Sequence, residues 1–536
     1  MIAYYWEGGA WALVLVLAIF GSGLDQAYGQ EKLQLIDPIA PPPYEYEGHE
    51  ADATWRDSAQ ARIEEHRKAD LEVTLVDARG APVEGASVDV ELTQHAFNFG
   101  TAVSDDLVNN DATYREHLRE DVNYATIETG LKLYNWEDNP GRQQSVHDAV
   151  DWLNNHDFAV RGHAAFWEEW WWMDMDEGSG DFYGDMTPME IHQTVQDKIE
   201  PRLQEFAGEL RDWDTQNHPR HQQEIRPEVA SGTDMSEVEV VSDWWATAQS
   251  ADEQANMGIN EQNILQKYDW AGPTGWVDWY ENWILSLMEE GVDVDQIGFM
   301  GHANINRFEG IPQVLDLLDQ FGASGLPLYV SEFHITLEEW WDESTTWADA
   351  TQAEKDAQAA YLRDFLTAFF SHPAADTFVH WTYWEGRAWR RTSALYSPDW
   401  TLRDHGEMYR ELVYDRWWTE EAGQTDAQGT YATRGFKGQY DVAVSHNGRT
   451  EIVETQLTEG GTSVEVSDIS PLYGSEKDLA LGGGDDFVRL ERTPSINTDG
   501  PFETRTVDLW FKAATVEGGL EPETDRSGLE RAVRVD

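Results

Sequence analysis

Glu332 closes the apolar run Leu328-Tyr329-Val330 inside residues 326–336. A short apolar run of this kind suits a strand buried in a parallel sheet. A carboxylate at its end is costly to bury without a partner, and in a barrel of parallel strands that end is where active sites lie. Other groups able to do chemistry stand at the ends of similar runs. Glu128 and Lys132 follow a second run, His163 and Trp167 a third, Asn217 and His218 a fourth, and residues 260–263 (Asn-Glu-Gln-Asn) a fifth. His302 follows a sixth, His334 shares the seventh with Glu332, and Trp384, Glu385, Arg387 and Trp389 follow the eighth. A single polar strand end is more often structural than functional. Seven of them together form what a sugar cleft needs: indole faces to stack on pyranose rings, with amides, imidazoles and carboxylates to bond the hydroxyls.

The rhythm between residues 97 and 417 supplies the elements that would position these groups. Strand-like runs fall at 97–103, 124–130, 159–167, 210–217, 255–261, 297–303, 327–334 and 378–384. Between them lie stretches with apolar residues at i, i+3 and i+4, such as 145–153, 189–209, 276–288, 311–321 and 353–370. Eight strand–helix units predict an α/β fold, a (β/α)8 TIM barrel over residues 96–420. A doubly wound open sheet is the alternative. No Gly-rich nucleotide loop follows the first run, which argues against a dinucleotide site, and no cofactor is expected.

The flanks read differently. Alternation over 70–92 predicts a small N-terminal β element within 61–95, preceded by a charged helical stretch at 62–68. Beyond residue 418, runs at 434–444, 451–457, 463–466, 487–490 and 504–511, separated by Gly-rich turns, predict a C-terminal β-sandwich-like module over 428–515 and a tail over 516–536. Residues 31–60, with Pro41-Pro42-Pro43, read as an extended linker. Residues 1–30 read as a signal-like segment. The apolar stretch 11–21 is too short to span a bilayer comfortably, and Glu7 stands where a basic start is usual.

The chain of 536 residues carries 101 acidic and 37 basic side chains, a formal charge of −64. A polyanion would be repelled, so nucleic acid is not an expected partner. Acid spread along the whole chain, with only 9 lysines, fits high salt, where self-repulsion is screened. Disorder is the other reading of such charge, but 40% hydrophobic residues and 26 tryptophans argue for a packed core. There is no cysteine, hence no disulfide, thiolate ligand or cysteine nucleophile. His218 and His221 have ligand spacing for a helix, but Pro219 disfavours a helix there, so no metal site is expected. An extracellular or cell-surface protein is expected, with no membrane contact beyond the N-terminal segment.

Taken in order, these segments resemble glycoside hydrolase family 10, the β-1,4-xylanases, and in particular its plant-type branch. Arg161-Gly162-His163 with Phe166-Trp167 resembles the family's third-strand motif, and Trp213-Asp214 with Asn217 its fourth. Ser331-Glu332-Phe333 resembles the nucleophile motif, Gly301-His302 the sixth-strand motif, and Trp384-Glu385-Gly386-Arg387 with Trp389 the eighth. The resemblance covers residues 97–418. It implies a retaining glycosidase acting on xylan, with two catalytic groups about 5–5.5 Å apart. It further implies Glu332 as nucleophile, Asn217 bonded to the sugar 2-hydroxyl, and Glu128, Lys132, His163, Trp167, His302, Trp384 and Trp389 in contact with sugar. His302 and His334 would orient Glu332 and keep it ionised.

The chain departs from that pattern at Thr129, at Met300 and above all at position 218, where His218 replaces the acid/base glutamate. Three readings are open. The imidazolium is itself the donor, since an imidazole titrates near 6.5 and a general acid works best near the operating pH. Another carboxyl, such as Glu168, Glu224 or Glu385, donates instead. Or the barrel binds glycan without cleaving it. Trp170-Trp171-Trp172 and Trp340-Trp341 are candidates for core or for sugar platform, and three indoles in a row cannot all face inward.

Overall fold

The computed structural model describes residues 40–137, 139–265, 275–337 and 344–467, and the backbone of 509–511, 523–524 and 530–532. The signal-like segment, Trp340-Trp341, the run at 487–490 and most of the tail lie outside the described residues. Two strands precede the barrel, β1 (Lys68–Val76) and β2 (Ser87–His95). The barrel strands follow: β3 (Asn98–Val103), β4 (Tyr124–Ile127), β5 (Ala159–Trp167), β6 (Asp212–Asn217), β7 (Asn256–Glu261), β8 (Gln296–Phe299), a short β9 (His302–Asn304), β10 (Leu328–Thr336) and β11 (Ala375–His380).

The order β11-β3-β4-β5-β6-β7-β8-β10, closed by a β11–β10 pairing, makes an eight-stranded parallel barrel, and β9 extends it beside the end of β10. Every residue of β3, β4, β6, β8 and β10 is buried, as expected of strands covered on one face by helices and on the other by the barrel interior. The sixth run breaks at Gly301, which takes φ +79°, and the eighth strand begins three residues before the expected 378.

The helices begin where local chemistry says they should. Thr187 with Glu190, Ser236 with Glu239 and Thr351 with Glu354 form capping boxes at the starts of helices Pro188–Glu205, Glu237–Ala251 and Gln352–Ser371. Each such cap is worth about 1 kcal/mol. The faces they bury are apolar: Ile191, Val195, Ile199 and Leu203 in the first, and Val240, Val241, Trp244 and Trp245 in the second.

The two flanking β regions are one body. β1 runs antiparallel to β13 (Thr430–Phe436) and parallel to β16 (Thr462–Ser467). β2 lies between β12 (Glu420–Gln424) and β14 (Gly438–His446), with β15 (Arg449–Leu457) beyond. Leu71, Val73, Leu75, Val88, Val90, Leu92, Val442 and Val444 are all buried, while Asp70, Glu72, Asp89 and Glu91 face out. The expectation of a separate element over 61–95 is therefore corrected. Two short strands cannot bury their apolar face alone, and here the strands after the barrel complete the sheets. The described part of 31–60 also departs from a free linker. Tyr46 donates to Asp364 at 2.7 Å, Arg56 pairs with the same carboxylate at 2.6 Å, and a helix begins at Thr54.

Candidate active site

The floor of the barrel is a buried polar network that fixes the third- and fourth-strand motifs. Arg161, fully buried, donates to Tyr124 (2.8 Å), Asp214 (2.9 Å) and Gln296 (2.7 Å). Tyr329 donates to Asp214 at 2.9 Å, and the other Asp214 oxygen meets His163 Nδ1 at 2.8 Å. Burial works to raise the Asp214 carboxyl, but Arg161, His163 and Tyr329 hold it below the usual carboxylate range. Gly162 has to be glycine, because the Trp213 ring occupies the space 2.3 Å from where a Cβ would sit. The network therefore sets the His163 ring with Nε2 turned to Glu332, 3.9 Å away.

Glu332 is buried in the middle of β10, and two imidazoles face its oxygens. His163 meets one, and His302 Nε2 stands 3.4 Å from the other. Burial pushes its carboxyl up. The contact with His302 and the charges of His163, His302 and His218 outweigh that and hold it down at about 2. His334 acts one step further back. Its Nδ1 lies 3.2 Å from Nδ1 of His302, and the rings stack at 4.4 Å. Burial, then the charges of His302, His380 and Arg390, push His334 far below its ordinary value. His334 is therefore a neutral brace for His302.

A chain of amides reaches the same point. Ser331 Oγ donates to Asn260 Oδ1 (2.8 Å), and Asn260 Nδ2 donates to Asn217 Oδ1 (2.9 Å). That order leaves Asn217 Nδ2 as a buried donor without a partner among the described residues. The indole nitrogens of Trp167 and Trp384 are in the same condition. Buried donors are nearly always bonded. Three orphan N–H groups on cleft residues suit hydroxyl acceptors.

His218 follows Asn217 with φ +55°, in the left-handed region. Its loop is held from three sides. His218 N donates to Asn260 O (2.9 Å), Arg226 donates to Pro219 O (2.8 Å), and Glu261 accepts from the backbone of Arg220 (2.7 Å) and His221 (3.3 Å). The His218 ring lies edge-on to Trp167 at 5.7 Å, and its Nδ1 is 3.7 Å from Glu261 Oε1. Both His218, edge-on to Trp167, and Glu332, faced by His163, neighbour the same pair of rings, since Trp167 meets His163 edge-on at 5.4 Å.

Lys132 Nζ lies 5.0 Å over Trp167 and 5.3 Å over Trp172. Burial lowers its ammonium, while the charges of Glu332 and Glu128 work against that. Burial likewise raises Glu128, opposed by Lys132 and Arg387. Trp384 stacks on Trp400 (5.2 Å, 9°), and Trp389 stands edge-on to both His302 (5.7 Å) and His334 (5.5 Å). His163, His302 and His334 thus gather around Glu332, Trp389 meets the latter two histidines, and Lys132 neighbours Trp167, which meets His163.

The carboxyls weighed as substitutes for the missing acid fare unequally. Glu168 is locked behind Arg226 (2.6 Å) and Gln216 (2.6 Å), and Glu385 is taken by Arg403. Glu224 sits beside the backbone of Trp170, 3.4 Å away. Sequence reasoning passed over Glu169. Burial and the charge of Glu224 push its carboxyl up, while the Trp172 indole and His218 pull it down. It also treated Glu261 as one sugar-touching group among several. A strand-end carboxylate directly after Asn260 was the available signal.

A closed parallel barrel with a buried carboxylate, imidazoles and indoles at its strand ends is the architecture of a (β/α)8 glycoside hydrolase. The model of glycosyl hydrolase family 10 matches residues 89–414, and the chain belongs to that family. It is 27% identical over 407 residues to anti-sigma-I factor RsgI6 of Acetivibrio thermocellus, covering 74% of this chain and 47% of that protein. It is 24% identical over 392 residues to endo-1,4-beta-xylanase 1 of Arabidopsis thaliana, covering 73% and 38%. The chain thus spans about half the length, or less, of these curated relatives. Among solved structures, xylanase 10B of Thermotoga petrophila in complex with xylobiose superposes with a TM-score of 0.50 at 18% identity, covering 60% of this chain and 95% of that one. The family 10 enzyme of Paenibacillus barcinonensis gives 0.51 at 17%, covering 60% and 95%. These two bear on the fold alone.

Proposed function

We propose that this chain is an endo-acting β-1,4-glycanase that cleaves xylan with retention, with Glu332 as nucleophile and His218 as acid/base. The observation that carries this reading is the buried Glu332 carboxylate, faced by His302 at 3.4 Å and His163 at 3.9 Å, which hold it below the usual carboxylate range. An Oε of Glu332 attacks the anomeric carbon as its bond to the leaving oxygen breaks, and the imidazolium of His218 gives that oxygen its proton. Neutral His218 then takes a proton from water. The water oxygen bonds to the anomeric carbon, Glu332 is released, and both groups return to their starting states. Asn217 Nδ2 donates to the 2-hydroxyl, and Lys132 and His163 hold the same sugar. Glu261 is the counter-ion of the charged His218 ring.

A second reading is a glycan-binding barrel without turnover. The replacement of glutamate by His218 favours it, as does a relative named for anti-sigma activity rather than hydrolysis. The eighth-strand motif and the Arabidopsis relatives support a plant-type assignment. The acid excess and the apolar stretch 11–21 support an extracellular or surface setting at high salt.

Incubation with xylan and with an aryl β-xylobioside in molar salt tests the assignment. His218→Ala should lose about 10²–10⁴-fold on xylan and far less on the aryl substrate, whose leaving group needs no proton. Azide should restore the aryl turnover by trapping the glycosyl–enzyme as a β-azide. Full activity of His218→Ala on xylan would remove His218 from the mechanism. Binding of xylan without cleavage by the parent would establish the second reading.

A further inference from the structure

The run Trp170-Trp171-Trp172 leaves one ring in solvent. Trp170 stacks flat on Tyr183 (3.9 Å, 6°), and Trp172 meets Trp167 edge-on at 3.9 Å. Trp171 is 45% exposed, although exposing an indole forfeits hydrophobic burial. It is nonetheless held in place. Tyr134, two residues beyond Lys132, stacks on it at 4.4 Å and 27°, and Trp172 abuts it at 4.6 Å and 75°. One face is thus braced by a tyrosine while nearly half the side chain stays open. The rings Trp167, Trp172 and Trp171 form a continuous aromatic path from the cleft to its rim, with the Lys132 ammonium over the first two. A ring fixed before binding loses little entropy when a ligand stacks on it, and pyranose faces stack on indoles.

We infer that Trp171, braced by Tyr134, is a distal sugar-stacking platform that extends the cleft on the Lys132 side. It takes a pyranose of a β-1,4-linked chain beyond the ring held by Lys132 and His163. This rests on the functional reading above. The platform sets how long a chain the cleft grips and leaves the bond-breaking groups alone.

The test measures binding of xylobiose and xylohexaose by calorimetry in the non-cleaving Glu332→Ala background, with and without Trp171→Ala and Trp171→Tyr. Trp171→Ala should weaken xylohexaose about tenfold, which is about 1.4 kcal/mol, and leave xylobiose within about twofold. Trp171→Tyr keeps a stacking face and should recover most of the loss. Unchanged xylohexaose affinity in Trp171→Ala overturns the platform and leaves the functional reading standing. So does an equal loss for both sugars, which marks general damage to the cleft. Binding of neither sugar by the Glu332→Ala parent overturns the functional reading and the platform with it.

Discussion

His302 Nε2 stands 3.4 Å from Oε2 of Glu332, and that contact is the leading force keeping a buried carboxyl ionised. The cost of burial acts the other way, so the folded protein stabilises the carboxylate only while the imidazoles face it. The consequence is a linkage between acidity and stability. The folded value of about 2 lies below the ordinary 4.5. Glu332 therefore contributes stability that is complete above about 4.5 and is lost as the pH falls towards 2. The gap corresponds to on the order of 3 kcal/mol. Urea unfolding of the parent and of Glu332→Gln across pH 2–6 should give stability curves that converge as the pH drops through that window. Parallel curves would show that the carboxylate is not held as described.

Glu261 and His218 make a second testable pair. Glu261→Gln keeps the size of the side chain but removes the charge 3.7 Å from His218 Nδ1. Turnover of xylan should fall about tenfold, the scale of one lost charge-assisted contact, with the unfolding temperature little changed. A glutamate that only anchors the loop would lower the unfolding temperature and leave turnover close to that of the parent.

Arg226 and Glu168 are a structural pair, with Arg226 wholly buried and Glu168 1% exposed. Arg226→Ala leaves a carboxylate buried without its counter-charge and should cost about 3–5 kcal/mol in denaturant unfolding. Glu168→Gln should keep xylan turnover within about threefold at neutral pH. A loss of 10²-fold or more there would make Glu168 the proton donor and displace His218 from that role.

The charge of −64 predicts a response to salt. Raising KCl from 0.1 M to 2 M shortens the screening length from about 10 Å to below about 3 Å. It should raise the unfolding temperature by several degrees. A flat or falling curve would detach the acid excess from adaptation to salt.

The barrel was legible because short strand-like runs, apolar in β4, β8 and β10, recur at regular spacing between helix-patterned stretches, although β6 and β7 are largely polar. The eighth strand starts earlier than expected because Ala375 and Thr377 carry little hydrophobic signal. The sixth run looked continuous because the turn at Gly301 is a matter of backbone angle. The joining of β1 and β2 to strands beyond residue 420 could not be read. Alternation identifies a strand and says nothing of its partner, and these partners lie more than 300 residues apart in the chain. Glu332, His163, Asn217 and His218 stood out because each lies in or directly after a strand, within a recognisable motif. Glu261 and Glu169 did not, since their roles arise from which loop folds against them.

The sandwich is joined to the barrel at both of its chain crossings. β2 ends at His95 and β3 begins at Asn98, and only residues 417–419 separate the last barrel helix from β12. A module hung on a single tether can swing and search. This one is yoked at two points and holds a constant bearing to the cleft. Any surface it offers to a partner would stand at one set angle to the barrel.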